Sequence, residues 1–165
     1  MDWLSFAKEF QTAIVGVIGF GGVILTQVLN ARYARQREDA ARQAKRNAVV
    51  RSVLAELRIM HASISQNVNR PEPEEEALFH MPTLPRLLTN SLMNELGVLP
   101  ADAIDSVLLA LLSIDDINNR LSLRAAKIHD GFFSFDLRGH PAVIGVLKQA
   151  LPKLERAITA LESSK

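Results

Sequence analysis

The sequence predicts an all-α protein in which one transmembrane helix is continuous with a long basic helix that joins a four-helix bundle. Three observations favour this fold: an uncharged apolar run near the amino terminus, a Leu- and Ala-rich composition, and apolar residues at helical spacing over most of the remaining chain. A length of 165 residues leaves room for one domain plus an anchor. We therefore predict an anchor (1–30), a basic helical stalk (31–48) and a cytoplasmic helical bundle (49–165).

The apolar run at residues 10–29 is long enough to cross a membrane. No charged residue lies between Glu9 and Arg32, and about 20 apolar residues cross a hydrocarbon core of about 30 Å. Trp3 and Tyr33 flank the run about 45 Å apart along a helix, which is close to the spacing of the two membrane interfaces. A cleaved signal peptide is the alternative, but its apolar core spans only about 7–15 residues behind a basic leader. We expect a retained anchor.

Positive charges lie mainly on the carboxyl-terminal side of this run. Six basic residues follow it within about 17 residues, whereas Lys8 alone precedes it, and positive flanks stay in the cytoplasm. We expect a single pass through a bacterial inner membrane, with the amino terminus outside and the carboxyl-terminal domain cytoplasmic. Weak binding to anionic lipid headgroups is also expected. The residues expected at the membrane surface are Trp3, Arg32, Tyr33, Arg35 and Arg37.

One face of the predicted anchor carries small and polar side chains at a seven-residue period, and bulky apolar residues occupy the other side. Helices in lipid associate through small residues that allow close approach and through polar hydrogen bonds. We expect this small-residue face to contact a second copy of the chain or another membrane protein, and a lone anchor is the alternative. The small-residue face consists of Thr12, Gly16, Gly19, Val23, Thr26 and Asn30.

The stretch after Asn30 is rich in Ala, Arg, Gln and Glu and has no Pro or Gly before Pro71, so a helix is expected throughout. Residues 31–48 carry alanines rather than large apolar groups, which fits either a solvated stalk or an alanine-lined helix contact. A helical apolar rhythm then begins at Val50 and continues to Ile64. The net charge of +1 and the absence of a dense basic face argue against a nucleic-acid partner.

Three further helices are predicted in the bundle, at about residues 82–97, 100–128 and 142–163. Pro82, Pro85 and Pro100 fit the first turns of helices, and each segment has apolar residues at helical spacing. The second of these helices is the most apolar, so it is predicted to lie at the bundle centre. Four glutamates near residues 72–76 lack EF-hand spacing and are interpreted as a solvated turn.

The segment 129–141 reads HDGFFSFDLRGHP and is predicted to be a loop. Its histidines and aspartates lack helical metal-ligand spacing, so no metal site is predicted. Its three phenylalanines either close one end of the bundle or, if they are exposed, mark a partner site. The residues of this candidate partner loop are His129, Phe132, Phe133, Phe135 and His140.

The chemical inventory of the sequence points away from catalysis. Because the chain has no Cys, it has neither disulfides nor thiolate metal ligands. Hydrolase, zinc-protease and phosphate-loop motifs are also missing, so we predict no enzyme, no catalytic residues and no cofactor. The leading hypothesis is a non-catalytic scaffold or accessory subunit of a membrane complex that associates through its transmembrane helix. The alternative is a membrane-tethered helical sensor or effector that responds to a ligand or partner at the 129–141 loop.

Two short motifs carry a resemblance to other sequences: Ala-Glu-Leu-Arg at residues 55–58 and Glu-Leu-Gly-Val-Leu-Pro at residues 95–100. With the amino-terminal span and the Arg-rich helix, they resemble a loose group of small, uncharacterised bacterial single-pass membrane proteins with a cytoplasmic helical domain. The resemblance implies this architecture. It implies no activity, cofactor or site residue.

Overall fold

The computed structural model describes residues 3–71 and 78–163, without the side chains of residues 3–7, 9 and 12–14. The chain divides into two compact units, Met1–Lys45 and Arg46–Lys165. We call them the amino-terminal unit and the core unit. The protein is mostly helical, with one long apolar helix at its amino-terminal end.

Helix α1 is Trp3–Val68, and its residues are divided between the two units. In the amino-terminal unit every described side chain is exposed to solvent. Two side-chain bonds there are local: the Thr26 hydroxyl donates to the Gly22 carbonyl over 2.8 Å, and Arg42 forms an ion pair with Glu38. Among the described residues, α1 is the helix long and apolar enough to cross a membrane.

The core unit combines the end of α1 with three further helices and a small sheet. Helices α3 and α4 pack along each other, and buried small residues such as Ala110 and Ala157 allow their close approach. Two polar pairs also connect α1 to α4: Arg58 bonds Glu162, and His61 lies 3.2 Å from Glu155. The elements in chain order are β1 (Phe79–Pro82), α2 (Leu87–Ser91), a 3-10 helix (Met93–Val98), α3 (Ala101–Arg124), β2 (Lys127–His129), β3 (Phe132–Phe135), a 3-10 turn (Leu137–Gly139) and α4 (His140–Ser163).

The apolar rhythm predicted for the end of α1 is confirmed. This face is buried together with one face each of α3 and α4 in a single apolar core, as helical periodicity requires of an amphipathic helix. The chain leaves α1 at Val68, close to the predicted end before Arg70. The buried apolar residues of this part of α1 are Val49, Val50, Val53, Leu54, Leu57, Met60 and Ile64.

The sheet is antiparallel and has the strand order β1-β3-β2. Strands β2 and β3 form a hairpin through Asp130 and Gly131, and Gly131 has a φ of 80°, a conformation that glycine adopts without steric cost. Strand β1 pairs with the other side of β3, with Phe79 opposite Phe135. Both of these phenylalanines are buried, so the sheet contributes apolar side chains to the core.

The predicted four-helix bundle is not confirmed. A continuous helix was expected over residues 82–97, but the segment contains the end of β1, the five-residue α2 and a 3-10 helix. Pro82 and Pro85 lack the N–H groups of a helix interior, and Leu87 and Met93 are exposed, so no apolar stripe holds a longer helix against the core. The predicted loop at 129–141 was wrong as well, because its first part belongs to the hairpin and its last residues to α4.

Candidate functional site

The small-residue face lies open along α1. Gly16, Gly19, Thr26 and Asn30 are exposed, and the side chain of Val23 is 54% exposed. A Cβ atom added at Gly16 or Gly19 would meet no atom within 4 Å. The side chain of Thr12 lies outside the described residues. This face therefore offers a shallow surface that none of the residues described in the structure fills.

The opposite side of the same helix segment is bulky, apolar and equally uncovered. Val17 and Phe20 are 73% and 69% exposed, values typical of an isolated helix. Apolar groups of this size are normally covered by protein or by lipid. The remaining large apolar side chains that this segment exposes are Val15, Ile18, Ile24, Leu25, Val28 and Leu29.

Four of the five residues predicted at the membrane surface follow this apolar segment. Arg32, Arg35 and Arg37 are exposed, and Tyr33 is 59% exposed. The side chain of Trp3 lies outside the described residues. Further along the helix, the ion pair between Arg42 and Glu38 neutralises one positive charge, so the net positive charge is greatest just after the apolar segment.

The structure separates the candidate partner loop into exposed and buried residues. His129 is exposed and Phe132 is 49% exposed, whereas Phe133 and Phe135 are buried at 4% and 1% exposure. His140 is also buried and contacts the edge of the Phe79 ring. The phenylalanines thus divide between the two predicted roles, since two contribute to the core and one remains accessible.

A buried carboxylate in the core unit was missed by the sequence interpretation. Glu56 is 6% exposed, and its two oxygens accept hydrogen bonds from the Leu88 and Thr89 N–H groups at 2.9 and 2.7 Å. These N–H groups lie in the first turn of α2, where no intrahelical acceptor exists. Glu56 therefore caps α2 from a distant helix. The signal in the sequence is an acid on the apolar face of α1, between Val53 and Met60.

The segment between β1 and α2 is held by two contacts with α3. The Asn118 side chain accepts from the Leu84 N–H at 3.1 Å and donates to the Leu84 carbonyl at 2.9 Å. Arg86 forms an ion pair with Asp115 at 2.8 Å.

Beside this segment lies a mainly apolar cavity of about 280 Å³. Its lining includes Glu56, Ile59, Met60, Leu84, Leu87 and Leu88.

Part of α3 was wrongly predicted to be buried. Leu108 and Leu112 belong to the apolar pattern of this segment, but they are 37% and 63% exposed, and Leu109 between them is 56% exposed. The buried side of α3 is formed by Val107, Leu111, Ile114, Ile117 and Leu121. The helix is therefore apolar on two sides, and only one of them faces the core.

Metal ligands are not grouped within residues 3–71 and 78–163, where no cluster of three or more His, Asp or Glu side chains could hold an ion. The predicted acidic turn near residues 72–76 lies outside the described residues. Comparison with known proteins gives no match to a family model, to a curated protein or to a solved structure.

Proposed function

We propose that this protein is a membrane-anchored, non-catalytic scaffold or accessory subunit of a membrane protein complex. The observation that carries the proposal is the exposed apolar surface of residues 15–29, which residues 3–71 and 78–163 leave uncovered. Lipid is the solvent that such a surface requires, and an α-helix satisfies its own backbone hydrogen bonds there. The core unit, which has an apolar centre of its own, is the part that the anchor holds at the membrane.

The proposed topology is a single pass through a bacterial inner membrane with the amino terminus outside. Exposed Arg32, Arg35 and Arg37 follow the apolar segment, and basic flanks of this kind are retained on the cytoplasmic side. In this arrangement the helix continues from the anchor through the basic stretch, and the core unit lies in the cytoplasm. The arginines also bind anionic headgroups weakly.

The proposed contact with the partner is the small-residue face. Gly16 and Gly19 leave open space where a neighbouring backbone can approach, and close approach is the main source of helix association in lipid. Asn30 adds a polar group whose pairing can fix the register of two helices. The occupant is a transmembrane helix, supplied by a second copy or by another membrane protein.

Two glycine substitutions test this contact. Gly19 belongs to the small-residue face, whereas Gly21 lies about 180° from its centre on a helix, and both have open space around them. We expect Gly19→Leu to reduce association at least about fivefold, and Gly21→Leu to leave it unchanged. The readouts are a bacterial two-hybrid assay for self-association and a mild-detergent pull-down with mass spectrometry for another subunit. Equal effects of the two variants, or a wild-type chain recovered alone as a monomer, would contradict the proposal.

A further inference from the structure

We infer that the cavity beside the segment between β1 and α2 binds a small amphipathic cation, a protonated alkylamine whose ammonium group pairs with Glu56. The cavity has a volume of about 280 Å³ and is lined by residues of α1, of this segment and of α2. Its lining is mainly apolar, and among the described residues that form it Glu56 is charged and none is Lys, Arg or His. The cavity therefore combines an apolar wall with one negative charge.

The negative charge of Glu56 is buried without a basic side chain beside it. Glu56 is 6% exposed, and no other Asp or Glu within residues 3–71 and 78–163 is buried. None of the ion pairs formed among these residues involves Glu56. The Leu88 and Thr89 N–H groups use two of the about four acceptor positions of an ionised carboxylate. Buried charges in proteins are normally paired, so this carboxylate is suited to a cation from outside the chain.

The chemistry of the lining selects the head group of the ligand. An anion would be repelled by Glu56, and a neutral molecule would leave its charge unpaired. A metal ion needs several oxygen or nitrogen ligands, and Glu56 belongs to no cluster of that kind among the described residues. An ammonium group needs no such cluster, because it donates up to three hydrogen bonds to whichever acceptors it meets.

The apolar part of the lining favours an alkyl chain on this cation. Met60 and Leu84 form the inner wall and are each 3% exposed, whereas Ile59 and Leu87 at the mouth are 69% and 75% exposed. An alkyl chain in the cavity contacts the inner pair and covers the outer pair, which removes apolar surface from water. The ligand class is therefore a primary alkylamine rather than a free ammonium ion.

Equilibrium dialysis tests the inference with the full chain in phosphatidylcholine nanodiscs. The probe is radiolabelled n-hexylammonium, which is protonated at neutral pH as a lysine side chain is, and the matched ligands are n-hexanol and hexanoate. Binding to empty discs is subtracted. We expect n-hexylammonium to bind at least about tenfold more tightly than either matched ligand. It should also bind about fifteenfold more tightly than n-butylammonium, because each buried methylene contributes about fourfold.

Variants assign this binding to the cavity. Ser63 lines the cavity, so Ser63→Leu fills part of it and should weaken binding of n-hexylammonium at least about tenfold. The neighbouring Ala62 is exposed and lies outside the lining, so Ala62→Leu should leave binding unchanged. Glu56→Gln keeps the size of the side chain and removes its charge, and it should reduce the preference for the amine over the alcohol to less than about threefold. Circular dichroism checks that each variant keeps its helix content.

Three results would overturn the inference. The first is an amine that binds no more tightly than the alcohol or the carboxylate, which includes the case of no saturable binding. The second is unchanged binding to Ser63→Leu, and this result decides the matter even if Glu56→Gln does not fold. The third is a folded Glu56→Gln variant that keeps the full preference for the amine. Gly19→Leu should not change amine binding, because the cavity shares no residue with the small-residue face, so each proposal can fail without the other.

Discussion

The two units of the molecule use apolar side chains in opposite ways. In the amino-terminal unit, Val17 and Phe20 are about 70% exposed, whereas in the core unit Val53 and Leu57 are completely buried. All four residues belong to helix α1. The difference therefore lies in what covers the helix, because α3 and α4 supply a cover in the core unit, whereas none of the described residues covers the apolar side chains of the amino-terminal unit.

Apolar content alone therefore does not define a core. The end of α1 has its buried apolar residues on one face and exposed polar groups such as Arg51 and Gln66 on the other, so one packed layer satisfies it. Residues 15–29 carry no charge, and apart from Gln27 they are apolar or small all round, so a single packed layer would leave large apolar groups such as Val17 and Phe20 uncovered.

Two leucine truncations within α1 compare the units directly. Leu57→Ala should lower the free energy of unfolding of the core unit by about 2–5 kcal/mol, because it leaves a cavity where a fully buried side chain packs. Leu25→Ala, at a side chain that is 60% exposed, should leave this transition unchanged. Urea unfolding of the full chain in detergent micelles, followed by circular dichroism, measures both. Similar losses would mean that the two halves of α1 are stabilised in the same way.

Two glutamates compare buried and exposed charge within the core unit. Glu56→Ala removes the acceptor of the Leu88 and Thr89 N–H groups, of which the second is buried, and should cost about 1–3 kcal/mol in the same unfolding experiment. Glu162→Ala breaks the ion pair between Glu162 and Arg58. Because the side chains of Arg58 and Glu162 are 57% and 42% exposed, this change should cost less than about 1 kcal/mol. If Glu162→Ala costs as much as Glu56→Ala, the capping interaction contributes little.

A smaller effect, of opposite sign, is expected at Thr89. Its side chain is fully buried, and its hydroxyl has no hydrogen-bond partner among the described residues. Thr89→Val keeps the shape and removes the unpaired group, so it should raise the free energy of unfolding by about 1 kcal/mol. The exposed Thr159 provides the control, since Thr159→Val should change stability by less than about 0.5 kcal/mol. A loss of stability in Thr89→Val would show that the hydroxyl has a partner in solution.

The long elements of this fold were predictable from sequence because each follows one period over many residues. The buried face of α1 from Val50 to Ile64, helix α3 and helix α4 were placed within a few residues of their observed ends. Their signal is local, because apolar side chains at i, i+3 and i+4 can form a stripe only on a helix. The same reasoning did not distinguish the two apolar sides of α3, since periodicity does not identify which stripe finds a partner.

The short elements were missed where local signals compete. Pro82 and Pro85 were interpreted as helix starts, although Pro82 ends strand β1. Asp130 and Gly131 between two β-favouring segments are a strong hairpin signal, and this signal was overlooked in favour of a loop. Strand β1, however, depends on pairing with β3 across more than 50 residues, which no local pattern encodes.

The small-residue face and the long-range contacts of the core unit also differ in whether a local sequence pattern reveals them. The small-residue face was found as a sequence pattern, because its residues share one helix and need no tertiary information. Capping of α2 by Glu56 and attachment of Leu84 by Asn118 join residues more than 30 positions apart. They were not predictable in detail, although an acid on an apolar face is a usable sign of a buried partner.

The strand order β1-β3-β2 has a consequence for biosynthesis. The central strand ends at Phe135, about 100 residues after the apolar segment, so at about 5–20 residues per second the ribosome completes it roughly 5–20 s later. Strand β1, which ends at Pro82, has no pairing partner during the second half of that interval, because the long-range closure with β3 needs a strand that has not yet been made. The amino-terminal apolar segment is therefore complete well before the sheet of the core unit can close.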